Sequence, residues 1–213
     1  MNKYIIKFAK DDKVKYVSHL DIVRVFERAM RRAGIKLSYS NGFNPHPQMS
    51  FAHPLGVGIS STCELMEISL EDDISPKDLA FRLNDAFPQG FKVFAAKITF
   101  EKSPFKALTY AEYNISLKGS FQNNITSIMD NEQIIMPKRT KSGTKDTNIK
   151  PLILKLESSN NEDITAVLSC GGENLKPDLL IEAIIKFTGA EIDDYTILRT
   201  NLFDENYEEL IKF

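Results

Sequence analysis

Only two cysteines, Cys63 and Cys170, stand in the 213 residues, far apart and in strand-like surroundings. They exclude a disulfide framework. They also cannot supply the four thiolates of an ordinary iron–sulfur cluster or a Cys-rich zinc site, unless histidines or a partner complete the set. No apolar run approaches the roughly 18 residues of a membrane helix. Met1-Asn2-Lys3-Tyr4-Ile5 runs straight into a strand-like pattern without a charged-then-apolar leader, so the expected location is the cytoplasm. Complete catalytic signatures are missing as well. No Gly-x-Ser-x-Gly occurs, and Leu55-Gly56-Val57-Gly58-Ile59-Ser60-Ser61 lacks the third glycine of a dinucleotide loop and the Gly-Lys-Ser/Thr end of a phosphate loop. Glu64 and Glu67, three apart on a predicted strand, point to opposite faces and do not form a carboxylate pair.

What is present is an ordinary globular composition, 42% hydrophobic and 26% charged, with a formal net charge of −2. The charge is unevenly spread. The first 62 residues hold Lys3, Lys7, Lys10, Lys13, Lys15, Arg24, Arg28, Arg31, Arg32 and Lys36 against only Asp11, Asp12, Asp21 and Glu27. Residues 136–155 add Lys138, Arg139, Lys141, Lys145, Lys150 and Lys155 against Asp146, while the last third of the chain is acidic. A polyanion could therefore meet one face of a protein that is not basic as a whole.

Periodicity predicts an α+β chain. A strand over residues 4–10, an extended piece over 14–17, and a helix from the Ser18 N-cap to Arg32 open it, with Asp21 in a capping-box position and Gly34 as the stop. Val23, Phe26, Met30 and Ala33 mark the buried stripe of that helix, and Arg24, Arg28, Arg31 and Arg32 gather elsewhere on it. Strands over 35–40, 63–70 and 91–100 and a helix at Ser75-Pro76 complete a βαββαβ order. The second half repeats the order, with strands at 110–117, 133–137, 151–157, 164–169 and 195–199, helices at 121–129 and from Pro177, and an amphipathic acidic tail over 204–213. That is the split βαβ arrangement, so two tandem ferredoxin-like units with antiparallel sheets are expected, divided at 1–103 and 104–213.

The stretch Asn41-Gly42-Phe43-Asn44-Pro45-His46-Pro47 is the most unusual. Its prolines stiffen the backbone and Gly42 permits a tight turn, so Asn44 and His46 should be presented by a rigid loop suited to binding. His19 sits in the first helical turn and His53 in the next loop, without a regular metal-ligand spacing; no metal and no cofactor are expected. A histidine acting as general base, His46 or His19 with Tyr39 beside it, would suffice for RNA cleavage by proton transfer. Lys138, Arg139, Lys141 and Lys145 form a hydroxyl-rich hairpin loop whose donors suit phosphate oxygens.

Over Tyr16-Val17-Ser18-His19-Leu20-Asp21, Arg24, Phe26-Glu27-Arg28-Ala29, Arg31-Arg32-Ala33-Gly34, Tyr39-Ser40-Asn41-Gly42-Phe43-Asn44-Pro45-His46-Pro47 and Ser50-Phe51-Ala52, the sequence resembles the radical-SAM-linked bacterial proteins, a domain of unknown function found alone or joined to a radical SAM enzyme. The likeness continues more loosely through residues 138–143 and Arg199-Thr200. It implies a functional tie to a separate radical SAM enzyme, because this chain lacks the Cys-x3-Cys-x2-Cys cluster motif, and a setting near RNA processing. A similarity of element order alone links it to the tandem ferredoxin-like CRISPR RNA endonucleases, whose C-terminal glycine-rich signature is absent.

The expected function is an accessory protein that binds structured RNA, a tRNA or ribosomal RNA, for that enzyme. Arg24, Arg28, Arg31, Lys138, Arg139, Lys141 and Lys145 would meet phosphates, and Asn44 and His46 would position the substrate. The alternatives are a metal-independent endoribonuclease using His46 or His19 and a protein-binding adaptor without RNA.

Overall fold

The computed structural model describes residues 2–100, 103–140 and 143–213, with side chains throughout apart from Thr140. It is a mixed α+β protein built mainly from antiparallel strands. Two compact units divide the chain: Met1–Ala107 together with Leu210–Phe213, and Leu108–Glu209. The last four residues thus belong to the first unit, whereas the sequence pattern places the whole tail in the second.

In the first unit, strand β1 (Asn2–Lys10) is followed by helix α1 (His19–Arg32), strands β2 (Met49–Phe51) and β3 (Ile59–Leu70), helix α2 (Pro76–Ala86) and strand β4 (Phe91–Thr99). The strand order is β4-β1-β3, with β2 on the far side of β3, and every pairing is antiparallel. Helix α1 begins where Ser18 accepts a hydrogen bond from the Asp21 amide at 3.2 Å and donates to Asp21 Oδ2 at 2.7 Å. It ends before Gly34, whose φ of +67° suits glycine. Its buried stripe is Ile22, Phe26, Ala29 and Met30, rotated slightly from the expected one. These residues meet Tyr4, Ile6 and Phe8 of β1 and Leu79 and Leu83 of α2 in one core, where the Phe26 ring stands edge-on to Phe8 at 4.8 Å and Phe87 at 4.9 Å.

The expected strand over 35–40 is reduced to the isolated bridges Leu37↔Leu70 and Tyr39↔Pro47. The reason is competition for one edge. The Ser38 amide donates to Ser69 O and the Ser69 amide to Gln48 O, so two short segments divide the edge of β3 that a continuous strand would occupy alone. Residues 14–17, expected to be extended, instead continue a 3-10 turn at Asp12–Val14, which Asp11 caps.

The second unit holds β5 (Tyr110–Ser120), β6 (Ile135–Thr140), β7 (Gly143–Asn148), β8 (Ile153–Ser158), β9 (Asp163–Ser169), α3 (Pro177–Thr188) and β10 (Glu191–Phe203). Its strands run β10-β5-β9-β8, antiparallel, and β6 and β7 pair only with each other. The helix expected over 121–129 is a 3-10 helix, Ile125–Asp130. Asparagines explain the shortening: Asn124 Oδ1 takes the Thr126 amide, Asn161 Oδ1 takes the Ile125 amide, and Asn131 Nδ2 returns to Ile128 O. These side chains satisfy the backbone locally and give it alternatives to a longer α-helix. Residues 204–209 turn rather than coil, around Asp204 Oδ1, which accepts the amides of Asn206 and Glu208.

Candidate functional site

The loop over residues 41–47 is closed at its base by backbone. The Ser40 amide donates to His46 O at 2.8 Å, the His46 amide to Ser40 Oγ at 3.0 Å, and the Gln48 amide to Ser38 O at 2.8 Å. Gly42 has a φ of +130°, a conformation that side-chain-bearing residues rarely adopt, so the tip requires it. Residues 41–46 are exposed, Asn44 and His46 among them, and Phe43 projects fully into solvent at the tip. Sequence reasoning points to Asn44 and His46 but passes over Phe43. The signal for it is a large aromatic directly after the turn glycine, in a segment too short to bury it.

Tyr39 and His46 lie on opposite arms of this loop, joined by the Tyr39↔Pro47 bridge, and Tyr39 is exposed. His19 belongs to a different setting: half-buried in the first turn of α1, it packs edge-on against Phe51 of β2 at 4.9 Å. His19 thus has a packing role. No hydrogen bond between Tyr39 and either candidate histidine occurs among the described residues. Nor is there, among them, a group of three His, Cys, Asp or Glu side chains placed to hold a metal ion. Burial pushes the Cys170 thiol up to about 12, so it is a poor nucleophile at neutral pH.

On α1, Arg24, Arg28 and Arg31 are all exposed, and their spacing puts them on one face of the helix. Arg24 Nη1 pairs with Asp21 Oδ1 at 2.8 Å. The Ser18 hydroxyl first, and then the Arg24 guanidinium, hold the Asp21 carboxyl below its ordinary value. Arg28 and Arg31 make no ion pair within 4 Å among the described residues. Arg32 turns away and donates to Ala86 O at 2.6 Å, tying α1 to the end of α2.

The basic hairpin is a two-stranded ribbon. Lys138 stands directly opposite Lys145, Arg139 opposite Thr144 and Pro137 opposite Asp146. Arg139 and Lys145 are exposed and Lys138 half so; Lys141 lies outside the described residues. The ribbon's root is fixed: Met136 is buried, Lys186 Nζ of α3 donates to Ile135 O at 3.1 Å, and Asn148 Oδ1 accepts the amides of Ile134 and Lys150.

The sheets themselves are less suited to phosphate. In the first unit, Ile5 lies between Glu67 and Lys97 in the register, on the face away from the helices. There Lys97 Nζ donates to Lys212 O at 3.1 Å and sits 5.4 Å from the Phe213 ring centroid, so the tail is held against the face's edge strand. In the second unit, the polar positions of β5 alternate with buried ones, and Glu112, Asn114 and Ser116 share a face with Asp163, Thr165 and Glu157. That face is acidic.

A family model described as an uncharacterized protein conserved in bacteria, DUF2344, matches residues 3–177. No curated protein matches the sequence. Among solved structures, a chain of a Cbf5-Nop10-Gar1 complex is similar with a TM-score of 0.47 and 13% identity over 95% of this chain and 50% of that one, so this chain spans about half its length. An unknown protein from Galdieria sulphuraria is similar with a TM-score of 0.30 and 14% identity, over 93% of this chain and 98% of that one. Likenesses this distant carry no weight for function.

Proposed function

The chain belongs to the bacterial DUF2344 family, and we propose that it is an RNA-binding accessory module whose phosphate contacts come from the elements that follow the first strand of each unit. The observation that carries this reading is the placement of cations. Arg24, Arg28 and Arg31 form an exposed face on α1, and Lys138, Arg139 and Lys145 stand on the ribbon, each set on a well-anchored element. Guanidinium and ammonium groups in such rows suit phosphate oxygens, which supply most of the affinity for nucleic acid. Phe43, Asn44 and His46 sit on the rigid loop of the first unit as the groups that would touch bases, the ring by stacking and the polar side chains by hydrogen bonding.

The partner in this reading is a separate radical SAM enzyme, to which the module presents its RNA. Its support is the likeness of residues 16–52 to the radical-SAM-linked proteins. Both units are read as variants of the split βαβ plan, with the strand orders β4-β1-β3-β2 and β10-β5-β9-β8 as support. The cytoplasm is the proposed location. The nuclease reading is weaker, because His19 is packed on Phe51 and His46 has no hydrogen-bonded orienting partner among the described residues.

A second reading, the protein-binding adaptor, is favoured by a different observation: Tyr16, Leu20 and Val57 are exposed apolar side chains, and Gly58, next to Val57, donates its amide to Lys15 O, which brings that turn beside Tyr16. Gentle purification from the native cells, with half of the sample treated with ribonuclease, separates the two. One class of RNA recovered in the untreated half is the expected result. A co-purifying radical SAM protein without RNA in either half would replace the module with the adaptor, and RNA fragments with new ends that vanish in His46→Ala would restore the nuclease.

A further inference from the structure

We infer that the β6–β7 ribbon is inserted between two phosphate-bearing strands, within an RNA groove opened by a bulge or internal loop, and does not lie flat along one backbone; this rests on the RNA-binding reading above. The register carries it. Directly opposed residues of an antiparallel pair point to the same face, and successive pairs alternate. Lys138 and Lys145 therefore share one face, while Arg139 and Thr144 share the other. Two ammonium groups directly opposite each other destabilise a ribbon unless an anion lies between or above them. None of Lys138, Arg139 and Lys145 has an ion-pair partner within 4 Å among the described residues, and Asp146, in the pair next to Lys138 and Lys145, engages none of them at that distance.

A ribbon made to lie on a single row of phosphates needs its cations on one side. This one has them on both. Between two phosphate walls, the lysine pair meets one wall and Arg139 the other. Size then selects the groove. Sheet layers pack about 10 Å apart, so a ribbon with side chains on both faces is roughly that thick. The major groove of uninterrupted A-form RNA is deep and too narrow for side chains to read. A bulge or internal loop that widens it removes that barrier. The ribbon is also held as insertion requires, with its root on α3 and pairing to no other strand.

The test measures binding of the full-length protein to a fluorescein-labelled RNA stem-loop with a bulge, to the same stem without it, and to a DNA duplex of the same sequence, over a range of salt. The variants are Lys138→Gln/Lys145→Gln, Arg139→Gln and, as a separate surface, Arg28→Gln/Arg31→Gln, each checked for an unchanged melting temperature. The expected result is tighter binding to the bulged stem, with both ribbon variants weakening it and lowering the salt slope by about one for each phosphate left unmet. An effect from one ribbon face alone, equal binding to both stems, or tighter binding to the DNA overturns insertion. If RNA binding depends on Arg28 and Arg31 but not on the ribbon, this inference falls and RNA binding stands. If no RNA binds, both fall.

Discussion

The two units solve the same connection differently. Between its first strand and β3, the first unit places a full α-helix, whose apolar stripe joins the core, and then the rigid loop over 41–47. At the equivalent place, between β5 and β9, the second unit has only a short 3-10 helix and then spends its length on a ribbon that pairs with itself. In both, the exposed cations of the candidate site sit on this connection and not on the sheet. The lesson is that the sheets act as scaffolds, while the connection after the first strand is free to carry binding chemistry.

That contrast can be broken first at the core. Phe26 is fully buried among Phe8, Phe51 and Phe87, so Phe26→Ala should cost about 3–5 kcal/mol in a urea titration followed by circular dichroism. Ile128, buried in the 3-10 helix, should cost about 2–5 kcal/mol on truncation to Ala. If Phe26→Ala proves the milder of the two, the view that α1 is the larger structural element of the pair fails.

A smaller effect is expected at the cap of α1. Ser18→Ala removes the bond to the Asp21 amide and should cost about 1 kcal/mol at neutral pH. The Asp21 carboxyl titrates below its ordinary value in the folded protein, chiefly because of Ser18. A depressed carboxylate contributes stability that is present above the ordinary value and is lost as pH falls through the folded one. The difference between Ser18→Ala and the parent should therefore narrow in acid; a gap that widens as pH falls through the carboxylate range contradicts this.

The smallest effect sharpens the ribbon. Lys145→Glu turns the opposed like charges into a cross-strand ion pair with Lys138 and should stabilise the protein by about 0.2–1 kcal/mol in thermal melts. RNA binding should weaken at the same time. A stabilised variant that binds RNA as well as the parent would mean that the lysine pair serves no ligand.

Much of the scaffold was legible because it is written locally. Ser18, Gly34 and Ser75-Pro76 mark helix ends with side chains that satisfy or release particular backbone groups, and the structure uses them so. What was not legible depends on competition between distant segments. Residues 35–40 alternate like a strand, yet the edge of β3 is divided with residues 48–51. The helix expected over 121–129 loses to asparagines, one of which, Asn161, lies far along the chain. In the candidate site, the cations could be named from sequence, but not their faces: the opposition of Lys138 and Lys145 is a matter of register, and a one-residue slip would reverse it. Likewise, three histidines close in sequence suggested convergence, while His19 went to Phe51 and His46 to the exposed loop.

The central claim is that cations on the two connections bind RNA together. The most direct measurement is the salt dependence of affinity for a structured RNA, in the parent protein, in Arg28→Gln/Arg31→Gln and in Lys138→Gln/Lys145→Gln. The account predicts a linear fall of log K with log salt in the parent and a shallower slope in each variant, by about one for every phosphate left unmet. Binding that is absent, or whose slope is the same in all three proteins, would contradict it.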